Sequence, residues 1–158
     1  MATVRGVPEG FNTLSPYLIC RDAPAAIDFY KKAFGATETS RASGPDGKII
    51  NAQLRIGNST MMLMEEKLDW GARSPKSLDG SPTSVQIYVE DADKMFAAAL
   101  AAGATAKMPI EDAFWGDRYG SVVDPFGHEW SIATRVKDMT GEEMEAASKE
   151  FFAKMQNA

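Results

Sequence analysis

The stretch PYLICRDAPAAIDFYKKAFGA, residues 16–36, contains the local signals that decide the fold. It begins with a short apolar segment over 16–20, which predicts a β-strand. Asp22 follows as the predicted N-cap of a helix, and Gly35 is placed to end that helix. The apolar face of the helix contains Ile27, Tyr30 and Phe34. The stretch therefore predicts a strand that leads directly into an amphipathic helix.

The same order of signals returns in the second half of the chain. A strand-like segment over 85–89 is followed by Asp91 as a predicted cap and by a helical segment that ends at Gly103. The apolar face of this helix contains Met95, Phe96 and Ala99. Both helices finish in the same tripeptide, Gly-Ala-Thr, at 35–37 and at 103–105. Repetition on this scale indicates a duplicated structural unit.

Alternating segments separated by turns follow each helix. The turns are Gly44–Gly47 with Gly57-Asn58 in the first half, and Asp124–Gly127 in the second; the strand segments are 49–56, 60–64, 118–123 and 129–134. Each half therefore reads β-α-β-β-β. The Gly-, Pro- and Ser-rich stretch 67–82 is interpreted as a linker, which divides one domain, 1–158, into a module of about 13–66 and a module of about 83–136.

A third helix is predicted over about 140–156. Thr140 and Glu143 form a capping box at its start. Its apolar stripe contains Met144, Ala147, Phe151 and Met155. Such a stripe favours packing against the domain or against a second subunit, and we expect a homodimer.

Composition excludes several classes of protein. With a net charge of -5 and a pI near 4.9, the chain lacks the basic character of a nucleic-acid-binding protein. No apolar run in the sequence approaches the ~20 residues of a membrane helix. The N-terminal residues do not resemble a signal peptide, and the single cysteine, Cys20, fits a reducing compartment, so we expect a cytoplasmic protein. The chain has one histidine, His128, which is too few imidazole ligands for a typical zinc, nickel or iron site.

Several segments, in order, resemble the vicinal oxygen chelate superfamily, which includes glyoxalases, bleomycin-resistance proteins and dioxygenases. The similarity covers about 13–136 and is greatest to its PhnB-like branch, through PYLICRDAPAAIDFYKKAFGA, NAQLRIGNSTMMLM, YVEDAD, FWGDRYG and DPFGHEW. The resemblance implies an α+β fold in which two tandem βαβββ modules form a cupped mixed β-sheet.

The resemblance also shows where this chain departs from the superfamily. Metal-dependent members take one ligand from the first strand and one from the last strand of each module. The matching positions here are Ser15, Met61 or Met62, Ser84 and Ser131, and Asn51 stands where the branch commonly has a histidine. Neutral hydroxyls and thioethers are poor ligands for such ions. We therefore expect no metal and no cofactor.

Strand alternation selects candidate ligand contacts. If Ala52 and Leu54 face the helix, Asn51 and Gln53 face the cup, and Ser84, Gln86 and Tyr88 do so in the second module. Amides, hydroxyls and a phenol suit a neutral or anionic small organic molecule. The alternative is that about half of these side chains are simply solvated.

The segment 114–119 supplies another candidate contact region. Trp115 is placed to stack on a ligand, Arg118 to hold a carboxylate or phosphate, and Tyr119 lies beside them. The alternative is a surface pair between Arg118 and Asp117, with Trp115 closing the end of the barrel. His128, in a turn, is a candidate pH-sensitive group or a cap for backbone groups.

Three functional hypotheses follow. The first is a protein that binds a small organic molecule without a metal. The second is a metal-dependent lyase, isomerase or dioxygenase, for which Glu65, Glu66, Glu129 and His128 are the nearby candidate groups. The third is a dimeric protein that has no small-molecule activity and associates through its C-terminal helix.

Overall fold

The computed structural model describes residues 3–158. The first half folds into one helix and four strands: β1 (Tyr17–Cys20), α1 (Ala23–Phe34), β2 (Thr37–Ser43), β3 (Ile49–Ile56) and β4 (Ser59–Glu65). A 3₁₀ turn (Leu68–Trp70) and the short helix α2 (Pro75–Leu78) follow. The second half repeats the order as β5 (Ser84–Tyr88), α3 (Ala92–Ala102), β6 (Thr105–Asp112), β7 (Asp117–Val123) and β8 (Glu129–Arg135). The helix α4 (Gly141–Gln156) completes the chain.

Each half forms its own four-stranded mixed sheet. The strand order is β1-β4-β3-β2 in the first sheet and β5-β8-β7-β6 in the second. In both, the first strand pairs in parallel with the last and the remaining pairs are antiparallel. The α+β prediction of two tandem βαβββ modules with a C-terminal helix is confirmed. We call the halves module one and module two.

The predicted helix caps are confirmed by hydrogen bonds. The Asp22 carboxylate accepts from the backbone N–H of Ala25, and Asp91 accepts from that of Lys94. Asp22 itself has a φ of 69°, a left-handed conformation that is unusual for a residue other than glycine. Glu65 stabilises it, because its two carboxylate oxygens accept from the N–H groups of Asp22 and Ala23 at 2.9 and 2.7 Å. The end of β4 thus fixes the start of α1.

The helix α1 is buried against both modules. Its side chains Tyr30 and Phe34 are 0% and 4% exposed, and the ring of Phe34 lies 4.7 Å from that of Trp130 on β8. The helices α1 and α3 also contact each other. The helix-bearing sides of both sheets therefore share one core, and the opposite side of each sheet points away from it. We call these opposite sides the outer face of module one and the outer face of module two.

A buried carboxylate joins the modules at one end of this core. Asp124, 3% exposed in the β7–β8 turn, accepts from the Tyr30 phenol at 2.6 Å and from the Trp130 indole at 2.9 Å. Its other oxygen accepts from the backbone N–H groups of Phe126 and His128. Four donors surround one carboxylate, so its burial is compensated.

The linker also packs on the domain. The Glu66 carboxylate accepts from the backbone N–H and the hydroxyl of Ser74, both at 2.7 Å, and Ser74 is fully buried. Gly127 has a φ of 91°, and a Cβ there would lie 2.8 Å from Pro75. The linker therefore lies close to the turn of module two.

The helix α4 lies at the periphery. Its capping box is confirmed, since Thr140 accepts from the backbone N–H of Glu143 and the Glu143 side chain accepts from that of Thr140. Phe151 contacts Phe114 with ring centroids 5.0 Å apart, yet it is 43% exposed. Within residues 3–158, no helix is both long and apolar enough to cross a membrane.

Candidate functional site

The strand register assigns the candidate residues to faces. In module one, Gln53 pairs with Met62, whereas Ala52 and Leu54, 0% exposed, pair with Leu63 and Met61 toward α1. Alternation then places Asn51 and Gln53 on the outer face. In module two, Val85 and Ile87 pair with the buried Trp130 and Ile132. The outer face of module two therefore contains Ser84, Gln86, Tyr88, Asp117, Tyr119 and Ser131.

Asn51 belongs to a small polar group on the outer face of module one. Its Nδ2 donates to the Tyr17 phenol at 3.2 Å and lies 3.6 Å from the sulfur of Met62. The Tyr17 phenol in turn donates to the carbonyl of Ile50 at 3.1 Å. Tyr17 is 43% exposed, so the group is open to solvent. This face offers an aromatic ring, an amide and a thioether.

Arg55, on the same face, is engaged by the chain itself. Its guanidinium donates to the carbonyls of Gly10 and Gly57, and the hydroxyl of Thr60 also donates to Gly10. Arg55 therefore holds the segment before β1 against the β3–β4 hairpin.

Asp117 organises the outer face of module two. It is 0% exposed, and its Oδ2 accepts from the Tyr88 phenol at 2.9 Å and from the Trp115 indole at 3.0 Å. Its Oδ1 lies 3.1 Å from Nε of Arg135, which forms the compensating ion pair. The hydrogen bond to this carboxylate raises the pKa of the Tyr88 phenol, because ionisation would place two negative charges together. The neutral phenol is thus held in one orientation.

Further aromatic rings lie beside Asp117 on the outer face of module two. The rings of Trp115 and Tyr119 meet edge to face with centroids 5.2 Å apart. The Tyr119 phenol and the Ser131 hydroxyl share a hydrogen bond of 2.8 Å. Tyr88, 55% exposed, lies on β5, which is an edge strand of the sheet. The structure therefore brings together Tyr88, Trp115 and Tyr119, with Ser84 and Gln86 on the same face.

Two candidates lie elsewhere. Arg118 donates from Nε and Nη2 to Asp93 at 3.1 and 3.0 Å and approaches Asp112 at 3.4 Å. These two carboxylates raise the pKa of its guanidinium above the ordinary value. The expected surface pair between Arg118 and Asp117 does not form, because the partner of Asp117 is Arg135. Arg118 also forms no ion pair with a residue of the outer face of module two. Residues adjacent in a strand point in opposite directions, which separates Arg118 from Tyr119.

His128 occupies the junction between the modules. Its Nε2 donates to the carbonyl of Ile19 at 2.8 Å, and its backbone N–H donates to Asp124. It is 9% exposed. The ring therefore connects β1 of module one to the β7–β8 turn. This contact agrees with the interpretation of His128 as a cap for backbone groups.

The groups considered for a metal site are separated or already engaged. Glu65 caps α1, Glu66 binds Ser74 and Glu129 pairs with Lys107 at 2.6 Å. Met61 faces the core at 4% exposure, which leaves Met62 as the outward thioether. No group of three His, Cys, Asp or Glu suited to a metal occurs in the part of the chain that the structure describes. The hydroxyl and thioether set does not fit a hard or borderline divalent ion.

The sequence interpretation considered Asp117 only as a surface partner of Arg118, and it did not assign Arg135 or Tyr17 to the site. Asp117 shares strand parity with Tyr119, so alternation alone was sufficient to place it on the outer face. Arg135 pairs with it across the ladder between β7 and β8. Recognising that pair required the register of β8, which the local sequence does not specify.

Comparison with known proteins relates the chain to a large family. Residues 10–132 match the model of the family described as Glyoxalase/Bleomycin resistance protein/Dioxygenase superfamily. An uncharacterized protein of Mycobacterium tuberculosis (strain H37Rv) is 49% identical over 137 residues, which is 85% of this chain and 81% of that protein.

Two solved structures are similar in fold. TioX from Micromonospora sp. ML1 is 28% identical with a TM-score of 0.61, covering 78% of this chain and 98% of that one. A PhnB protein from Bacillus cereus, described as a putative 3-demethylubiquinone-9 3-methyltransferase, is 15% identical with a TM-score of 0.59; the match covers 78% of this chain and 99% of that one. At 15% identity the likeness to the PhnB protein concerns the fold alone.

Proposed function

This chain belongs to the glyoxalase/bleomycin resistance protein/dioxygenase superfamily, and we propose that within it the protein is a PhnB-like binder of a neutral, planar aromatic molecule, acting without a metal. The proposed site is the outer face of module two. The observation that carries the proposal is the group formed by Asp117, Tyr88 and Trp115, in which one buried carboxylate fixes two large aromatic side chains.

Orientation of these rings favours binding. A ligand that stacks on Tyr88 or Trp115 does not have to immobilise them first, and preorganised side chains reduce the entropic cost of association. Stacked or edge-to-face aromatic pairs add about 0.5–1.5 kcal/mol beyond the burial of their area. Ser84 and Gln86 on the same strand supply hydrogen bonds at the edge of the rings.

The charges of this face favour a neutral ligand. Asp117 is compensated by Arg135 at 3.1 Å, and Glu129 by Lys107 at 2.6 Å. Arg118, the cation expected to bind an anion, is held by Asp93 and Asp112. A ligand carboxylate would therefore lose hydration without gaining a free cation.

The proposal includes a homodimer. Tyr17 and Tyr88 on the outer faces are 43% and 55% exposed, and α4 exposes Phe151, Phe152 and Met155 by 43–61%. In the proposed dimer a second copy covers these surfaces, and Tyr17 and Asn51 of one chain lie opposite Tyr88 of the other. The bound molecule then occupies the space between two faces.

The proposed location is the cytoplasm, with a small molecule rather than a nucleic acid as the partner. Burial raises the pKa of the Cys20 thiol to about 12, which keeps it protonated and unreactive at neutral pH. The net charge of -5 opposes binding to a polyanion.

Calorimetric titration with naphthalene-2-carboxamide tests the proposal, with its fully saturated analogue as the control ligand. We expect the aromatic amide to bind at least about tenfold more tightly, which corresponds to ~1.4 kcal/mol. Asp117→Asn should weaken it because a neutral amide is a weaker acceptor than the carboxylate for Trp115 and Tyr88, whereas Asp112→Asn, at a carboxylate that approaches Arg118 instead, should not. Equal binding of both compounds, or no effect of Asp117→Asn, would overturn the assignment.

Elemental analysis of protein purified without chelator tests the absence of a metal. We expect no nickel, zinc, iron or manganese at stoichiometric level and no change in Tm on adding EDTA. One bound ion per chain, lost on chelation with a fall in Tm, would support instead a metal-dependent lyase, isomerase or dioxygenase.

A further inference from the structure

A cavity lies between the two modules, and Gln86 and Tyr88 at the edge of the outer face of module two also reach its lining. It has a volume of about 670 Å³ and lies on the helix-bearing sides of the two sheets. Phe34 of α1 and Trp130 of β8, whose rings are 4.7 Å apart, form its floor. Ligand cavities in proteins measure roughly 300–1,000 Å³, so this volume suits a small molecule. We propose that this inter-module cavity is a binding site for a neutral, apolar molecule with one weakly polar end.

The cavity exists because no helix covers β5 fully. The helix α3 packs on β6, β7 and β8, and α1 packs on β1, β3 and β4. Val85 and Ile87, on the inner side of β5, and Val89, directly after it, remain only partly buried as a result. They line the cavity from one side, while Ile56 and Met61 line it from the other.

The lining selects for an uncharged ligand. None of the lining side chains contributed by residues 3–158 is acidic or basic. The Trp130 indole N–H is already donated to Asp124, so the floor offers no free donor from that ring. A charged group moved into such surroundings loses its hydration without a partner, a penalty much greater than the gain from apolar contact. An aromatic or aliphatic body loses little and removes apolar surface from water.

The exposed polar residues of the lining are Asn58, Ser59, Gln86 and Tyr88, and the hydroxyl of the buried Thr60 is already donated to the carbonyl of Gly10. Of these, Asn58 lies in the β3–β4 turn, Ser59 begins β4 and Gln86 lies on β5. They can hydrogen-bond to a hydroxyl, an ether or an amide at the outer end of a ligand. Met61 and Met95 on the walls are flexible thioethers, which adapt to ligands of different shape.

The test uses two probes that share one skeleton. N-phenyl-1-naphthylamine is neutral, and 1-anilinonaphthalene-8-sulfonate is the same ring system with a permanent negative charge. Fluorescence titration of the full chain should show saturable binding of the neutral probe at one or more sites per chain, and binding of the sulfonate at least about tenfold weaker. Equal affinity of the two probes, or no saturable binding of the neutral one, would overturn the proposal.

Two substitutions on β5 distinguish this cavity from the outer face. Ile87→Trp fills the cavity and should weaken the neutral probe at least about tenfold. Ser84→Trp places the same ring on the outer face, outside the cavity lining, so it should leave a saturable site for the neutral probe that Ile87→Trp removes. Loss of binding in Ser84→Trp but not in Ile87→Trp would place the probe on the outer face and refute the cavity site.

Methyl NMR of the unsubstituted protein gives a measurement that does not depend on either variant folding. Addition of N-phenyl-1-naphthylamine should shift the methyl signals of Ile87, Val89 and Met95 and leave that of Met62, on the outer face of module one, unchanged. Shifts at Met62 without shifts at Ile87 and Met95 would contradict the proposal. Gln86 and Tyr88 border both sites, but Ile87 lines only the cavity and Asp117 lies only on the outer face, so Ile87→Trp and Asp117→Asn distinguish failure of one site from failure of the other.

Discussion

The phenol of Tyr30 donates a 2.6 Å hydrogen bond to Oδ2 of Asp124, which lies 94 residues further along the chain. Both residues are buried, and one belongs to each module. Desolvation raises the pKa of the Tyr30 phenol well above its ordinary value, so it remains a donor throughout the physiological range. This bond couples the stability of one module to the position of the other.

Replacement of Tyr30 by phenylalanine should destabilise the protein by about 1.5–3 kcal/mol, the usual range for a hydrogen bond to a charged group. The ring and its contacts with Phe34 and Trp130 are retained, so the decrease in the free energy of unfolding measures the contribution of the hydroxyl group alone. Urea denaturation followed by circular dichroism measures it. Tyr17→Phe, which removes an exposed phenol, is the matched control and should cost less than about 0.5 kcal/mol; equal losses in the two variants would contradict the role given to Asp124.

Asp117→Asn should lower the pKa of the Tyr88 phenol toward its ordinary value of 10.0, because the hydrogen bond and the charge that oppose ionisation are both weakened. The ¹³Cζ chemical shift of Tyr88, followed between about pH 8 and pH 12, measures this change. The same measurement on the unsubstituted chain serves as the reference. An unchanged Tyr88 titration would show that Asp117 does not hold the phenol.

Glu66 should make part of the stability depend on pH. The hydroxyls of Ser77 and Ser74 and the backbone N–H of Ser74 lower the pKa of Glu66 from 4.5 to about 2. Because the folded-state pKa is depressed, this stabilisation is fully present above about pH 4.5 and is lost as the pH falls toward about 2. Glu66→Gln should therefore destabilise the protein by about 1–3 kcal/mol at pH 7, and the difference should shrink in that acid range. Denaturation at several pH values measures it, and a constant difference across the range would refute the assignment.

Gly116→Ala should destabilise more than an ordinary substitution of a turn glycine. Gly116 has a φ of 92°, and a Cβ there would overlap the backbone carbonyl of Lys137, which cannot rotate away. Gly47, with a φ of 76° and nothing within 4 Å of its Cβ position, is the control and bears only the conformational cost of about 1–2 kcal/mol. Thermal unfolding of both variants measures the difference in Tm. Equal Tm values would show that the segment after β8 shifts to accommodate the added methyl group at little cost in stability.

Local chemistry in the sequence was enough to predict the modules. The two helices begin at the side-chain caps Asp22 and Asp91 and end at left-handed glycines, Gly35 and Gly103. Both kinds of signal depend only on neighbouring residues. Strand alternation placed Asn51, Gln53, Ser84, Gln86 and Tyr88 on faces that the register reproduces. Their contact with a ligand stays a prediction, as do the module boundaries.

Contacts between distant elements could not be predicted in the same way. Arg118 was expected to face a ligand, but its partner Asp93 lies in the first turn of α3, and only the packing of α3 on β7 brings them together. His128 faces Ile19 across the module junction. The inter-module cavity arises because α3 lies over β7 rather than β5, which is a property of helix placement and leaves no local signal.

The insertion of α1 between the two sheets has a consequence for biosynthesis. Tyr30 and Phe34 find their partners Trp130 and Asp124 only about a hundred residues later in the chain. During translation the first half leaves the ribosome before those partners have been made, so its aromatic side chains stay exposed to other nascent chains until synthesis is almost complete. The interval between emergence and closure is therefore the period in which aggregation through these side chains is most favoured.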